Sequence, residues 1–283
     1  MLIGIVGKPN VGKSTFFKAA TLAEVGIAPV PFTTIKPNEG VGYVRVQCPE
    51  IDFKTKCNPR QGFCIDGQRF VPVKLIDVAG LVPGAHTGKG LGNQFLSDLV
   101  QADLLIHIVD ASGSTNEEGK MIQPGTYDPV KDVKFVEDEL DKWFAGMLKE
   151  NWVKFVRQSL QKDADKALAA QFYGFKITLD QIKSALKNTK LEGKKLPEWT
   201  NEDIQNFATM VRQMSKPVII IANKIDISTA KENIERLKKE FPNVFLRYKD
   251  LLEEGKLPSL KRKLSRSKSG DPFRVVESTH RTY

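Results

Sequence analysis

Cysteine is scarce. The chain has three, Cys48, Cys57 and Cys64, in 283 residues, and an odd number excludes an even disulfide framework. Eight residues separate the first two and six the next two. This lacks the close pair usual in zinc sites and reads as incidental thiols. The N-terminus shows no charged, then apolar, then small-residue order of a signal peptide, so the expected setting is reducing and cytoplasmic. Long apolar runs are missing too. Leu104–Ile108 and Pro217–Ala222 fall far short of the roughly 20 residues of a membrane helix, and no membrane span is expected.

What is present is an ordinary globular mixture, 41% hydrophobic and 27% charged, which excludes disorder over most of the length. Lys and Arg number 43 against 34 Asp and Glu, a formal +9. Such an excess favours polyanionic partners such as RNA, or phosphate ligands. It is concentrated at the end: residues 244–283 hold ten basic and five acidic residues, +5 of the total.

Leu2–Val6 is a continuous apolar run that stops at Gly7, and a helix-compatible stretch follows from Lys13 to Ala20. Val71–Ile76, Leu104–Val109 and Val218–Ile221 are further apolar runs, each closed by a polar residue: Asp77, Asp110 and Asn223. Buried parallel strands with functional groups at their carboxyl ends have this form. Gly42–Val46 is another strand candidate, and Cys48–Phe70 reads as a hairpin-like excursion. His107, inside an apolar strand, is expected to be a satisfied core histidine.

More than a hundred residues separate Asp110 from Val218, where one crossover needs about 30. Apolar residues at mixed threes and fours over Val130–Leu148, continuing in Trp152–Leu168, indicate a helical insertion. The expected organisation is a nucleotide-binding domain over 1–127, the insertion over 128–200, the domain's second part over 201–243, and a basic tail over 244–283. The fold class is α/β, a P-loop architecture with a mainly parallel sheet and helices on both faces.

The most specific signal is Gly7-Lys8-Pro9-Asn10-Val11-Gly12-Lys13-Ser14, followed by Thr15, a full P-loop match between strand and helix. Gly7 and Gly12 let backbone amides turn inward around phosphates, and the helix N-terminus adds donors and dipole. Lys13 is expected to bridge the β- and γ-phosphates, and Ser14 to ligate magnesium. Asn223-Lys224-Ile225-Asp226 supplies the base site. The Asp226 carboxylate can accept from both the ring N–H and the exocyclic amine of guanine, a donor pair adenine lacks. The Lys224 stem can lie over the base, and Asn223 can tie this loop to the P-loop or contact the base. Asp77 is expected in the outer magnesium shell, and Gly80 offers an amide to the γ-phosphate. Thr34, favoured over Thr33, is placed to join the magnesium shell when triphosphate is bound. His86, after Gly80, is a candidate to orient water or contact a partner, with a solvated loop residue as the plainer reading.

The segments GKPNVGKSTFF, PFTTIKPNEG, DVAGLVPGA and GKGLGNQFL together resemble the YchF or Obg-like subgroup of translation-factor-related P-loop GTPases, the archaeal type in particular. The resemblance covers about the first 243 residues. It implies a slow, magnesium-dependent GTPase acting as a switch near the ribosome, with a coiled-coil-like insertion. Many members carry Glu where this chain has Asp226 and prefer ATP, so Asp226 favours GTP. Leu81 stands where Ras-like enzymes place a water-orienting glutamine, and cannot hydrogen-bond water. Asn10 resembles the asparagine of GTPases that recruit potassium beside the phosphates. No Ser-Ala guanine loop follows Asp226, and the expected C-terminal TGS domain has no counterpart before Tyr283. The alternatives to a slow GTPase are a nucleotide-gated binding module with negligible turnover, or an ATPase. Oligomeric state is not legible.

Overall fold

The computed structural model describes residues 1–21, 38–78, 80–87, 99–159, 163–242 and the backbone of 245–247. Thr33, Thr34, the GKGLGNQFL segment and residues 248–283 of the basic tail lie outside them, while 245–247, expected to belong to that tail, form a strand of the sheet. The strands are β1 (Leu2–Val6), β2 (Asn38–Gln47), β3 (Phe63–Ile65), β4 (Gln68–Asp77), β5 (Leu104–Asp110), β6 (Val218–Asn223) and β7 (Phe245–Arg247). They form one sheet in the order β2-β4-β1-β5-β6-β7, with β3 beside β4. β4, β1, β5, β6 and β7 run parallel, while β2 and β3 are antiparallel to β4. The excursion between β2 and β4 is a hairpin extension. Asp66 and Gly67 both take positive φ, 49° and 72°, as a two-residue turn between β3 and β4 requires.

Alternation of side chains along the strands divides the core. Ile3, Ile5, Val73, Leu75, Ile108 and Ile221 share one face with Phe17 of helix α1 (Lys13–Thr21). The opposite face meets two helices, α3 (Pro129–Glu150) and α8 (Ala230–Glu240); the one-turn helix α2 (Glu50–Phe53) lies in the connection after β2, and four further helices of the described residues lie between α3 and α8 in the chain. Val136 and Leu140 of α3 pack on Val6, Leu105 and Val218, and Ile234 and Leu237 of α8 pack on Val109 and Ile220. Helices therefore cover both faces of the sheet.

The second half of α3 turns to a different core. Phe144 and Leu148 join Leu168 of α5 (Ala164–Gln171), Ile182 of α6 (Leu179–Asn188) and Phe207 of α7 (Asn201–Ser215), with Phe172 and Trp199 from the connections between them and α4 (Trp152–Ser159) against it through Trp152. The stretch Trp152–Leu168 holds α4 and the first part of α5. Thr178 and Thr200 head α6 and α7 in capping boxes, satisfying amides that the helices leave unpaired. Lys216, buried at the step from α7 to β6, donates from Nζ to the carbonyls of Val100 (2.6 Å), Ala102 (2.8 Å) and Phe175 (3.2 Å). One ammonium thereby joins the helical region to the approach of β5. No helix among the described residues is long and apolar enough to cross a membrane.

Phe207 is fully buried, with its ring 5.1 Å from that of Trp199. Phe207→Ala is expected to cost about 3–5 kcal/mol of stability in urea denaturation. A loss below about 1 kcal/mol contradicts this packing.

Candidate nucleotide-binding site

The parallel strands end at one edge, and the loops that follow them converge there. Gly7 and Gly12 take φ of 143° and 98°, conformations that other residues avoid. Space is refused as well as conformation. A Cβ on Gly7 would stand 2.5 Å from the Ile108 carbonyl oxygen, and one on Gly12 would stand 2.3 Å from Asn223 Nδ2. That Nδ2 donates to the Val11 carbonyl at 2.8 Å, tying the loop after β6 to the P-loop. Of the two roles expected of Asn223, the structure carries the tie. Pro9 is flanked by glycines: a Cβ on Gly80 would meet its Cγ at 2.6 Å, and a Cβ on Gly119 its Cβ at 2.7 Å.

Lys13, at the start of α1, donates from Nζ to the Lys8 carbonyl at 2.8 Å. Burial pulls its pKa down to about 8, against the opposing pull of Asp77. Ser14 Oγ donates to Asp77 Oδ2 at 2.6 Å. Asp77 is fully buried and its Oδ1 has no hydrogen-bond partner among the described residues, while burial raises its pKa. A hydroxyl and a buried carboxylate with an unused oxygen form the oxygen donor set that magnesium takes. Ser14 and Asp77 fit that ion. Thr15 follows in α1, half-buried.

Other residues of the motif have different employment. The Lys8 side chain, 1% exposed, points into the protein: Nζ donates to the Thr115 carbonyl at 2.8 Å, lies 2.8 Å from Asp132 Oδ2 and 3.9 Å from the centre of the Tyr127 ring. Burial lowers the Lys8 pKa and raises that of Asp132 to about 6, each opposed by the other's charge. Only its backbone is left to face phosphate. Asn10, at φ 61°, donates from Nδ2 to the Gly119 carbonyl at 2.8 Å. The loop 111–128 after β5 therefore buttresses the P-loop from outside, a role not assigned from sequence.

Asp110 anchors that loop. It accepts from Ser112 Oγ (2.5 Å), Thr115 Oγ1 (2.8 Å), Ser114 Oγ (2.9 Å) and Lys224 Nζ (2.9 Å). The Lys224 charge and these donors hold the Asp110 pKa low despite its burial. Lys224, at φ 57°, thus spans from the base loop to β5. Asp226 is exposed. The run of Asp, Ser, Ser and Thr at a strand end was the available sequence signal for Asp110.

Beyond Asp77, Leu81 donates its amide to the Gly7 carbonyl at 3.1 Å and buries its side chain among Val6, Leu105 and Leu140. His86 is not a free loop residue. Glu139 of α3 lies 2.7 Å from its Nδ1 and accepts the amides of His86 (2.9 Å) and Gly84 (2.8 Å). His107 is buried as expected but not satisfied, since neither ring nitrogen has a partner among the described residues.

A glycine loop between strand and helix, a Ser–Asp pair for magnesium and a base loop tied to them define a P-loop nucleotide-binding protein of the GTPase class. The family model described as 50S ribosome-binding GTPase matches residues 2–138. An uncharacterised GTP-binding protein of Methanocaldococcus jannaschii is 52% identical over 241 residues, 85% of this chain and 60% of that protein. The ribosome-binding ATPase YchF of Mycoplasma genitalium is 32% identical over 251 residues, 88% and 62% of the two chains. The crystal structure of a GTP-binding protein from Pyrococcus horikoshii superposes with a TM-score of 0.70 at 34% identity, covering 87% of this chain and 63% of that one. The chain belongs to the YchF and Obg-like family, and spans about three-fifths of the length of these relatives.

Burial, with Lys13 and Lys8 nearby, pushes the His107 pKa down to about 3 from 6.5. The unfolded chain takes up this proton below about pH 6.5 and the folded chain refuses it until about pH 3, so stability falls as pH is lowered between them. The slope reaches at most about 1.4 kcal/mol per pH unit. His107→Leu is expected to flatten this acid limb in denaturation measured from pH 7 to 4. An unchanged slope contradicts a buried, neutral His107.

Proposed function

We propose that the protein is a guanine-nucleotide switch with slow, magnesium-dependent GTP hydrolysis. The observation that carries this is the Asn223 tie to Val11, because it fixes the loop bearing Asp226 against the phosphate loop. A guanine held there by Asp226 places its phosphates on the amides of the P-loop. The phosphate oxygens take the Lys13 ammonium from the Lys8 carbonyl, exchanging a neutral acceptor for a charged one. Ser14 and Asp77 are the residues that would hold magnesium. When bound, the ion would offset phosphate charge and polarise phosphoryl oxygens. The Gly80 amide, backed by Pro9, is the donor for the terminal phosphate, and Thr34 is proposed to join Ser14 and Asp77 in the magnesium shell.

Slow turnover follows from Leu81. A buried apolar side chain cannot orient the attacking water, which leaves phosphate positioning and electrostatics to lower the barrier. His86 could contribute only through Nε2, its Nδ1 facing Glu139. That contact gives the switch its output: the segment sensing the phosphate is bonded to α3, and α3 runs into the helical core. The insertion at 128–200 is the effector surface in this proposal, and the ribosome or its RNA is the partner, in the cytoplasm. The basic charge and the relatives' names support that partner. Potassium at Asn10 requires its side-chain oxygen, since Nδ2 is spent on Gly119. The buried Leu81 also favours a second reading, a nucleotide-gated binding module with negligible turnover, which single-turnover phosphate release in potassium and in sodium separates from an enzyme.

The relatives' names divide between GTP and ATP, so the base is the point to test. Asp226→Asn is expected to weaken GTP binding by roughly 2 kcal/mol or more, about 30-fold, with ATP binding nearly unchanged. Equal losses for both nucleotides, or none, overturn the role of Asp226.

A further inference from the structure

The long antiparallel hairpin carries a cluster that the nucleotide site does not use. β2 pairs with β4 from Asn38 opposite Asp77 to Gln47 opposite Gln68, so its far end lies roughly 30 Å from the magnesium residues. There the three cysteines meet. Cys48 follows β2, Cys57 lies in the connection after α2, and Cys64 is in β3. With Glu50 they bring four ligand atoms within 4.8 Å of one another, although 16 positions separate Cys48 from Cys64.

We propose that Cys48, Cys57, Cys64 and Glu50 form a structural zinc site that closes the tip of this hairpin. The geometry is close to what the ion needs. Four ligands in a tetrahedron at zinc–sulfur distance stand roughly 3.8 Å apart, and a sulfur and a carboxylate oxygen roughly 3.5 Å. Cys64 Sγ and Glu50 Oε1 are already 3.3 Å apart, and the whole cluster needs to contract by about an ångström or less. The set is sulfur-rich and half-buried, with Cys48 only 1% exposed, which suits zinc rather than the oxygen-preferring magnesium.

The surroundings supply support for anionic ligands. Glu50 Oε2 accepts the Cys57 amide at 2.8 Å, which leaves Oε1 for the ion and fixes the carboxylate's direction. Arg69 Nη1 lies 3.9 Å from Cys57 Sγ, offering charge to a thiolate beside the metal. Glu50 and Cys48 are further linked through the Glu50 amide, which holds the Cys48 pKa down.

The site also has a place in the fold. The segment 49–62 contains only one helical turn, and Ile51 and Phe53 are exposed, so apolar burial does little to hold it. A metal joining both strands and the connection supplies the constraint that a core does elsewhere. Cysteines spaced C-x-E-x6-C-x6-C in sequence become a compact set only through the β3–β4 turn.

The test uses the full 283-residue chain, reduced and stripped of metal. Titration with cobalt(II) is expected to give thiolate-to-cobalt charge-transfer absorption and the visible bands of a tetrahedral ion, saturating at about one equivalent and displaced by zinc. Cys57→Ser and Cys64→Ser are expected to abolish these bands, and Arg69→Gln to weaken binding by roughly 10-fold. GDP binding, read at the distant P-loop, serves as the check that each variant is folded. Reduced wild-type protein that gives no tetrahedral cobalt spectrum overturns the site, as does a spectrum retained in both cysteine variants.

Discussion

One hydrogen bond, from the Asn223 amide to the Val11 carbonyl, joins two loops 212 residues apart. Each loop owes its position to a parallel strand, β1 or β6, with β5 between them. The bond sets how far the base-reading segment can stand from the phosphates. It also explains why position 12 must lack a side chain, since a Cβ there would occupy the place of the Asn223 amide. A site for a nucleotide, which is longer than any one loop, depends on this spacing.

Around that bond charged groups have polar partners. Lys13 rests on a carbonyl, Ser14 on Asp77, Lys8 beside Asp132, and Lys224 on Asp110. Lys8 and Lys13 look alike in the motif, yet one is a strut and the other is poised for phosphate. What separates them is depth and direction. Lys8 leaves the loop toward β5's following segment and α3, where Thr115, Asp132 and Tyr127 receive it, whereas Lys13 remains over the cradle. The Glu139 contacts to Gly84 and His86 extend the arrangement to α3, whose two halves serve two different cores.

The sheet was legible in the sequence because its central strands are buried on both faces and read as unbroken apolar runs closed by Asp77, Asp110 and Asn223. The P-loop was legible because glycine, lysine and serine have fixed duties at fixed spacing. Lys8 and Asn10 were less so, because their side chains answer to the 111–128 loop, which has no periodicity of its own. His107 was placed in the core correctly, but its unpaired nitrogens are a property of neighbours on other strands. The cysteine cluster was invisible for a related reason: a hairpin brings together positions that spacing alone keeps apart. Thr34 lies outside the described residues, so its part remains a proposal.

The central claim is that these loops form a working guanine pocket. Calorimetric titration of the chain with magnesium-GDP, and separately with magnesium-ADP, tests it most directly. The account expects tight binding of GDP and weak binding of ADP, with the difference lost in Asp226→Asn. Equal affinity for the two nucleotides, or binding of neither, would contradict it.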